Sequence, residues 1–185
     1  MNSKQLGPTV NQIVKNRLNF VITSTPTDSN IGIYVSYIKN NNITNMVRAC
    51  DSAYDESSIQ KICEIKAIVF NDGKFPSNEQ VLEWMDYIYN VFYKCDNQNK
   101  ILIHCVAGLG RAPLLVGIAL IVCESMDPYQ AIELLRTTVK QCLNNKQINY
   151  LTDTNWSAYR KKFKRYSKKN IKNINIKNIG ECQIM

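Results

Sequence analysis

With 185 residues, 45% of them hydrophobic and 21% charged, the chain has material for one globular domain and too little for a second. Its formal net charge of +8 is uneven: residues 1–159 hold 14 Lys/Arg and 14 Asp/Glu, whereas residues 160–185 hold 9 Lys/Arg against the single Glu181. The neutral body need touch no anionic surface, and the basic arm alone points to one, membrane or nucleic acid.

In chain order, runs rich in Val and Ile at Leu18–Ile22, Ile43–Cys50, Ile62–Phe70 and Ile101–Cys105 predict strands. Between them, Ser29–Asn40 and Ser77–Cys95 place apolar residues at helical spacing, and Ser77 or Asn78 after Pro76 is the expected N-cap. Three more helices are predicted after the last strand: Arg111–Ser125, Pro128–Lys140 capped by Asp127, and Lys146–Phe163. The alternation predicts an α/β fold, a central, mostly parallel sheet flanked by helices. Residues 1–166 are assigned to this domain and residues 167–185, dominated by Asn, Ile and Lys, to a disordered basic tail.

The longest apolar run, Ala112–Cys123, is 12 residues and is interrupted by Pro113 and Gly117. A membrane span takes about 20. The first residues lack the apolar stretch of a secretory signal, so synthesis and retention in the cytosol are expected. The seven cysteines include no Cys-x-x-Cys pair, and His104 is the one histidine. Zinc ribbons, His-x-x-x-His zinc sites, thioredoxin-type redox pairs and two-histidine phosphatases are thereby excluded. An odd cysteine count in a cytosolic chain argues against a disulfide framework, and Cys63 and Cys123 are expected as core thiols.

The chemistry is concentrated in Ile101-Leu-Ile-His-Cys-Val-Ala-Gly-Leu-Gly-Arg-Ala-Pro. A buried strand runs into a glycine-bearing turn and then a helix that accommodates Pro113 in its first turn. The N–H groups of Val106, Ala107, Gly108, Leu109, Gly110 and Arg111 can converge on a phosphate, with the helix dipole behind them. The same field favours Cys105 as a thiolate nucleophile, and the Arg111 guanidinium can grip two phosphate oxygens. The competing interpretation is a buried cysteine in a tight turn. A nucleotide-binding loop fits poorly, because GLGRAP lacks the Gly-Lys-Ser/Thr ending.

His104-Cys105-Val-Ala-Gly108-Leu-Gly110-Arg111 resembles the His-Cys-x5-Arg signature of cysteine-dependent protein tyrosine phosphatases. The resemblance implies a dual-specificity-type phosphatase fold and a phosphocysteine intermediate, with no metal or cofactor. His104 would orient the loop rather than serve as general base. Asp72, in Asn71-Asp72-Gly73 between a strand and the Ser77 helix, is the candidate general acid, the alternative being a plain Asp-Gly turn. The Trp-Pro usual before this acid is replaced by Ile68-Val69.

Met46-Val-Arg-Ala-Cys50-Asp, HCVAGLGRAP, Asn145-Lys-Gln147 and the terminal Cys182-Gln-Ile-Met are together similar to the phosphatase of regenerating liver (PRL) family, over about residues 15 to 165 and the terminus. That resemblance implies slow turnover, because Ala112 stands where most tyrosine phosphatases have a Ser or Thr that aids release of the phosphocysteine. It also implies a reversible disulfide of Cys50 with Cys105, although Cys50 can equally be a strand-end core thiol. A phosphoprotein or phosphoinositide is the implied substrate. A second role is implied as a binding module for CNNM-type magnesium-transport proteins, and a homo-oligomer is left open.

Cys182-Gln-Ile-Met matches a prenylation box whose terminal Met favours farnesyl, making protein farnesyltransferase an expected partner. One lipid chain binds marginally, and the nine basic residues from Arg160 to Lys177 supply a second signal toward an anionic membrane surface. The expected location is the cytoplasmic face of membranes with a soluble cytosolic pool. A nucleic-acid arm is the competing interpretation, and the prenylation box argues against it.

Overall fold

The computed structural model describes residues 8–94 and 99–166. Among these, five strands form one sheet in the order β1-β2-β5-β3-β4. β2 (Leu18–Thr23), β5 (Ile101–His104), β3 (Asn45–Arg48) and β4 (Glu64–Ala67) run parallel, and β1 (Asn11–Lys15) pairs antiparallel with β2. The expected α/β architecture is therefore present, with one strand more than the hydrophobic runs predict. β1 buries only Ile13 and exposes its neighbours, the pattern of an edge strand with little apolar signal.

The period of two along each strand sends alternate side chains to opposite cores. Phe20, Ile22, Val47, Ile101 and Ile103 face the larger core, while Val21, Met46 and Leu102 face the smaller one. The smaller core is closed by Tyr34 and Ile38 of α1 (Ile31–Asn40) and by Ile59 of α2 (Ser57–Gln60), a short turn that carries no periodic signal.

The larger core is organised around α4 (Arg111–Cys123), in which every residue from Arg111 to Val122 is buried. A helix apolar on all sides must be enclosed on all sides. α3 (Asn78–Phe92), α5 (Pro128–Thr138) and α6 (Asn145–Asp153) enclose it, Trp84 donating its indole N–H to the Leu115 carbonyl at 2.7 Å. A Cβ at Gly117 would lie 3.0 Å from Leu135 and 3.1 Å from Leu151, so glycine there sets how closely α5 and α6 approach.

Local chemistry fixes the helix starts. Ser77 caps α3 in a reciprocal box with Gln80, Asp127 caps α5 ahead of Pro128, and Asn144 caps α6 in a box with Gln147. The single helix expected over Lys146–Phe163 is two. Thr154 turns extended, and the Asn155 side chain accepts from the Ser157 N–H at 3.1 Å, starting a second helix, α7, over 157–166. The break buries Trp156, whose indole donates to the Leu151 carbonyl at 2.8 Å. Cys95, the 167–185 tail and Cys182 lie outside the described residues.

Candidate active site

The site forms where β5 ends. Thr23 of β2, Arg48 of β3 and His104 of β5 stand in register, so three parallel strands finish together and the chain after His104 emerges above the sheet. The loop 105–110 is then held from outside by its carbonyls. His104 accepts from the Ala49 N–H at 2.9 Å, Val106 from the Thr25 N–H at 3.0 Å, and Leu109 from the Leu143 N–H at 2.8 Å. Among the described residues the N–H groups of Val106 to Arg111 donate to no protein acceptor. They are the donors an anion would meet. Gly108 has φ +75°, and a Cβ there would sit 2.7 Å from the Thr23 carbonyl oxygen, so only glycine lets the loop lie this close to β2.

Cys105 is buried at the base of a cleft of about 320 Å³, whose walls include Asp72, Leu109, Gln141, Asn144 and Gln147. Arg111, the first residue of α4, is nearly enclosed, and its Nη1 donates to the Phe70 carbonyl at 3.2 Å. Its Nε lies 3.2 Å from Asp72 Oδ1, an ion pair set off the N–H axis and so not a full hydrogen bond. The Asp72 side chain is 81% exposed. It can exchange protons with solvent while leaning on the guanidinium.

The loop carrying Asp72 is fastened on both sides. Gln80 Nε2 donates to the Val69 carbonyl at 2.5 Å, Asn144 Nδ2 to the Gly73 carbonyl at 3.2 Å, and Gln147 Nε2 to the Lys74 carbonyl at 3.2 Å. The two helix-capping glutamines thus anchor the acid loop, a task the missing Trp-Pro leaves open in the sequence. Gln147 is buried and its Oε1 accepts from the Asn144 N–H at 3.1 Å, so the amide bridges the start of α6 and the Asp72 loop.

His104 is fully buried behind the cysteine, with Nε2 3.0 Å from the Tyr54 hydroxyl. Burial takes its imidazole down to about 4, so it is neutral at neutral pH and braces the loop. Ala112 is buried and presents no hydroxyl. Cys50, two residues past the end of β3, is a free thiol beside this group. Burial pushes it up, Arg111 draws it down, and the Cys105 sulfur adds to the rise. Arg48 holds its segment by donating to the Cys50 carbonyl at 2.5 Å.

The structure therefore brings Cys105, the 106–110 loop, Arg111, Asp72, His104 and Ala112 to one place, with Cys50 adjacent. Sequence reasoning missed Gln80, Tyr54, Gln141, Asn144 and the role of Gln147. The Asn144-x-x-Gln147 spacing is a readable capping box. Its reach to the acid loop is not readable, because the partners are 73 residues apart.

Comparison with known proteins gives a consistent answer. The chain is 42% identical over 133 residues to a probable protein tyrosine phosphatase type IVA A of Dictyostelium discoideum, covering 71% of this chain and 79% of the relative. It is 37% identical over 154 residues to the PRL-1 phosphatase of Drosophila melanogaster, covering 82% and 85%. Among solved structures, a putative protein tyrosine phosphatase from Leishmania major superposes with TM-score 0.72 at 25% identity, over 80% of this chain and 99% of that one. A kinase-associated phosphatase with its catalytic cysteine changed to serine superposes with TM-score 0.66 at 20% identity, over 86% and 98%, which shows the shared fold. No family model matches the chain.

Proposed function

Given that the chain belongs to the protein tyrosine phosphatase type IVA, or PRL, family and is a protein tyrosine phosphatase, we propose that it works through a phosphocysteine on Cys105. The substrate's non-bridging oxygens face the loop N–H groups and Arg111. The Cys105 thiolate attacks phosphorus, the bond to the leaving oxygen breaks, and protonated Asp72 supplies that oxygen with its proton. A water then attacks the phosphocysteine, gives its proton to the Asp72 carboxylate, and the P–S bond breaks to return the thiolate and release phosphate. Without a hydroxyl at Ala112 the second step has no donor near the departing sulfur and limits turnover. Neither step calls for a metal.

The observation that supports this most is the 3.2 Å pairing of Asp72 with Arg111 at the mouth of the Cys105 cleft. Hydrolysis of an aryl phosphate in the presence of EDTA tests it. Wild type should be active, and Cys105→Ser and Arg111→Lys should be silent; activity in Cys105→Ser would refute it.

Cys50 is proposed as the redox partner of Cys105. In the β3–β5 register Arg48 faces His104, so the two cysteines follow from adjacent strand ends. Oxidation of the Cys105 thiolate by peroxide gives a sulfenic acid, and attack by the Cys50 thiol forms the disulfide and releases water. Cys182, outside the described residues, is proposed as a farnesylation site. The basic residues from Lys161 onward would share the work of holding the domain at the cytoplasmic face of a membrane, Arg160 being engaged with the Ile121 and Met126 carbonyls. Within the described residues no helix is long and apolar enough to cross one. A binding role toward an acidic loop of a CNNM-type transporter is a second reading, favoured by Ala112, since slow breakdown of the phosphocysteine makes turnover a secondary use of a loop whose N–H groups can also meet a carboxylate.

A further inference from the structure

Beside the reaction cleft lies a second, shallow depression of about 560 Å³ that shares Asp72, Gly73 and Asn144 with it and is completed by Lys74, Asn145 and Lys146. The two lysines come from different elements, Lys74 from the acid loop and Lys146 from the first turn of α6. Their backbones are tied together by Gln147 on the Lys74 carbonyl and Asn144 on the Gly73 carbonyl. Both side chains are exposed, and among the described residues neither ammonium has an ion-pair or hydrogen-bond partner. The one carboxylate in the depression, Asp72, is engaged with Arg111. The start of α6 adds its own positive potential.

The rim of the cleft has the opposite character. Val106 and Leu109, which line it, are 57% and 43% exposed. A substrate whose phosphate sits over Cys105 therefore lays an apolar group against this rim and meets two uncompensated cations one wall away. The apolar rim suits an aromatic ring better than a sugar or inositol.

We propose that Lys74 and Lys146 form a subsite for an acidic side chain next to the phosphotyrosine, so that the enzyme selects phosphopeptides with an acidic flank. The proposal rests on the phosphatase mechanism above and names its preferred substrate. The two cations act on binding through charge alone, so the preference should be salt-sensitive.

The test compares phosphotyrosyl peptides with two aspartates before the phosphotyrosine, two after it, or a neutral flank. Each is measured for binding to Cys105→Ser and for kcat/KM with otherwise unchanged protein. One acidic peptide should bind roughly three- to tenfold tighter than the neutral one. The preference should vanish in Lys74→Gln/Lys146→Gln and at high salt, and persist in Lys74→Arg/Lys146→Arg. Equal binding of all peptides, or a preference that survives the double Gln change, would overturn the proposal. So would lysine-dependent binding of an inositol bisphosphate tighter than either acidic peptide, which would assign the subsite to a polyphosphorylated headgroup. Failure of the mechanism looks different: no peptide would turn over, while the Cys105→Ser binding series would still report on the subsite.

Discussion

Asp72 and Arg111, 39 positions apart in the chain, meet at 3.2 Å over the cysteine, with the carboxylate exposed and the guanidinium buried. In the proposed mechanism this pair holds the acid beside the phosphate that Arg111 would grip. Asp72→Asn keeps the size and loses the proton. For an alkyl or unactivated phenyl phosphate kcat/KM should fall by about 10²–10⁴, and much less for a substrate whose leaving group departs unprotonated. Equal losses across a leaving-group series would remove Asp72 from the role of acid.

Gln147 should act through Asp72 rather than on substrate. Gln147→Ala frees the Lys74 carbonyl and the Asn144 N–H, so kcat/KM for a poor leaving group should drop about tenfold, the equivalent of one hydrogen bond's worth of positioning. In an Asp72→Asn background the same change should cost little. Additive losses would show that Gln147 serves the phosphate loop independently.

How much of this was legible in the sequence follows from how local each feature is. Cys105, the glycine turn and Arg111 are contiguous, so strand, anion loop and helix could be read from one segment. Asp72 could be placed because an Asp-Gly turn between a strand and a capped helix is itself local. The restraints on the acid loop could not, since Gln80, Asn144 and Gln147 look like ordinary capping residues until the fold carries them to Val69, Gly73 and Lys74. The same holds for Tyr54, whose hydroxyl finds His104 across 50 residues. β1 escaped because an edge strand buries one residue, and the break at Thr154 escaped because apolar spacing continues across it.

His104 makes stability pH-dependent. Buried, it titrates at about 4, against an ordinary value of 6.5 in the unfolded chain. Folding is therefore most favoured above pH 6.5 and weakens as pH falls toward 4, by about 3 kcal/mol in all. Urea unfolding across that window should show the loss in wild type and a flatter profile in His104→Gln. Parallel profiles would mean that other groups dominate.

Mild peroxide should link Cys50 to Cys105, found by peptide mapping, with activity restored by a dithiol. Cys50→Ser should lose activity irreversibly under the same treatment, by overoxidation of Cys105. A Cys50→Ser protein that recovers as well as wild type would exclude the disulfide.

Location separates membrane from nucleic acid as the target of the basic arm. Cys182→Ser should become soluble in cells, and replacing Lys161, Lys162, Lys164 and Arg165 with Gln should weaken binding to anionic vesicles but not to neutral ones. Membrane retention of Cys182→Ser would eliminate the anchor. Loss of DNA or RNA binding in the Gln variant, with unchanged location of Cys182→Ser, would favour nucleic acid.

The most direct test of the mechanism is to catch the intermediate. Wild type mixed with excess aryl phosphate, quenched in acid within the first turnover and mapped by mass spectrometry, should carry one phosphate on Cys105, released with a burst of phenol close to one per active site. Ala112→Ser should carry less of it at steady state, because its hydroxyl speeds breakdown. Phenol released linearly from the start, with Cys105 unmodified while turnover proceeds, would contradict a rate-limiting phosphocysteine.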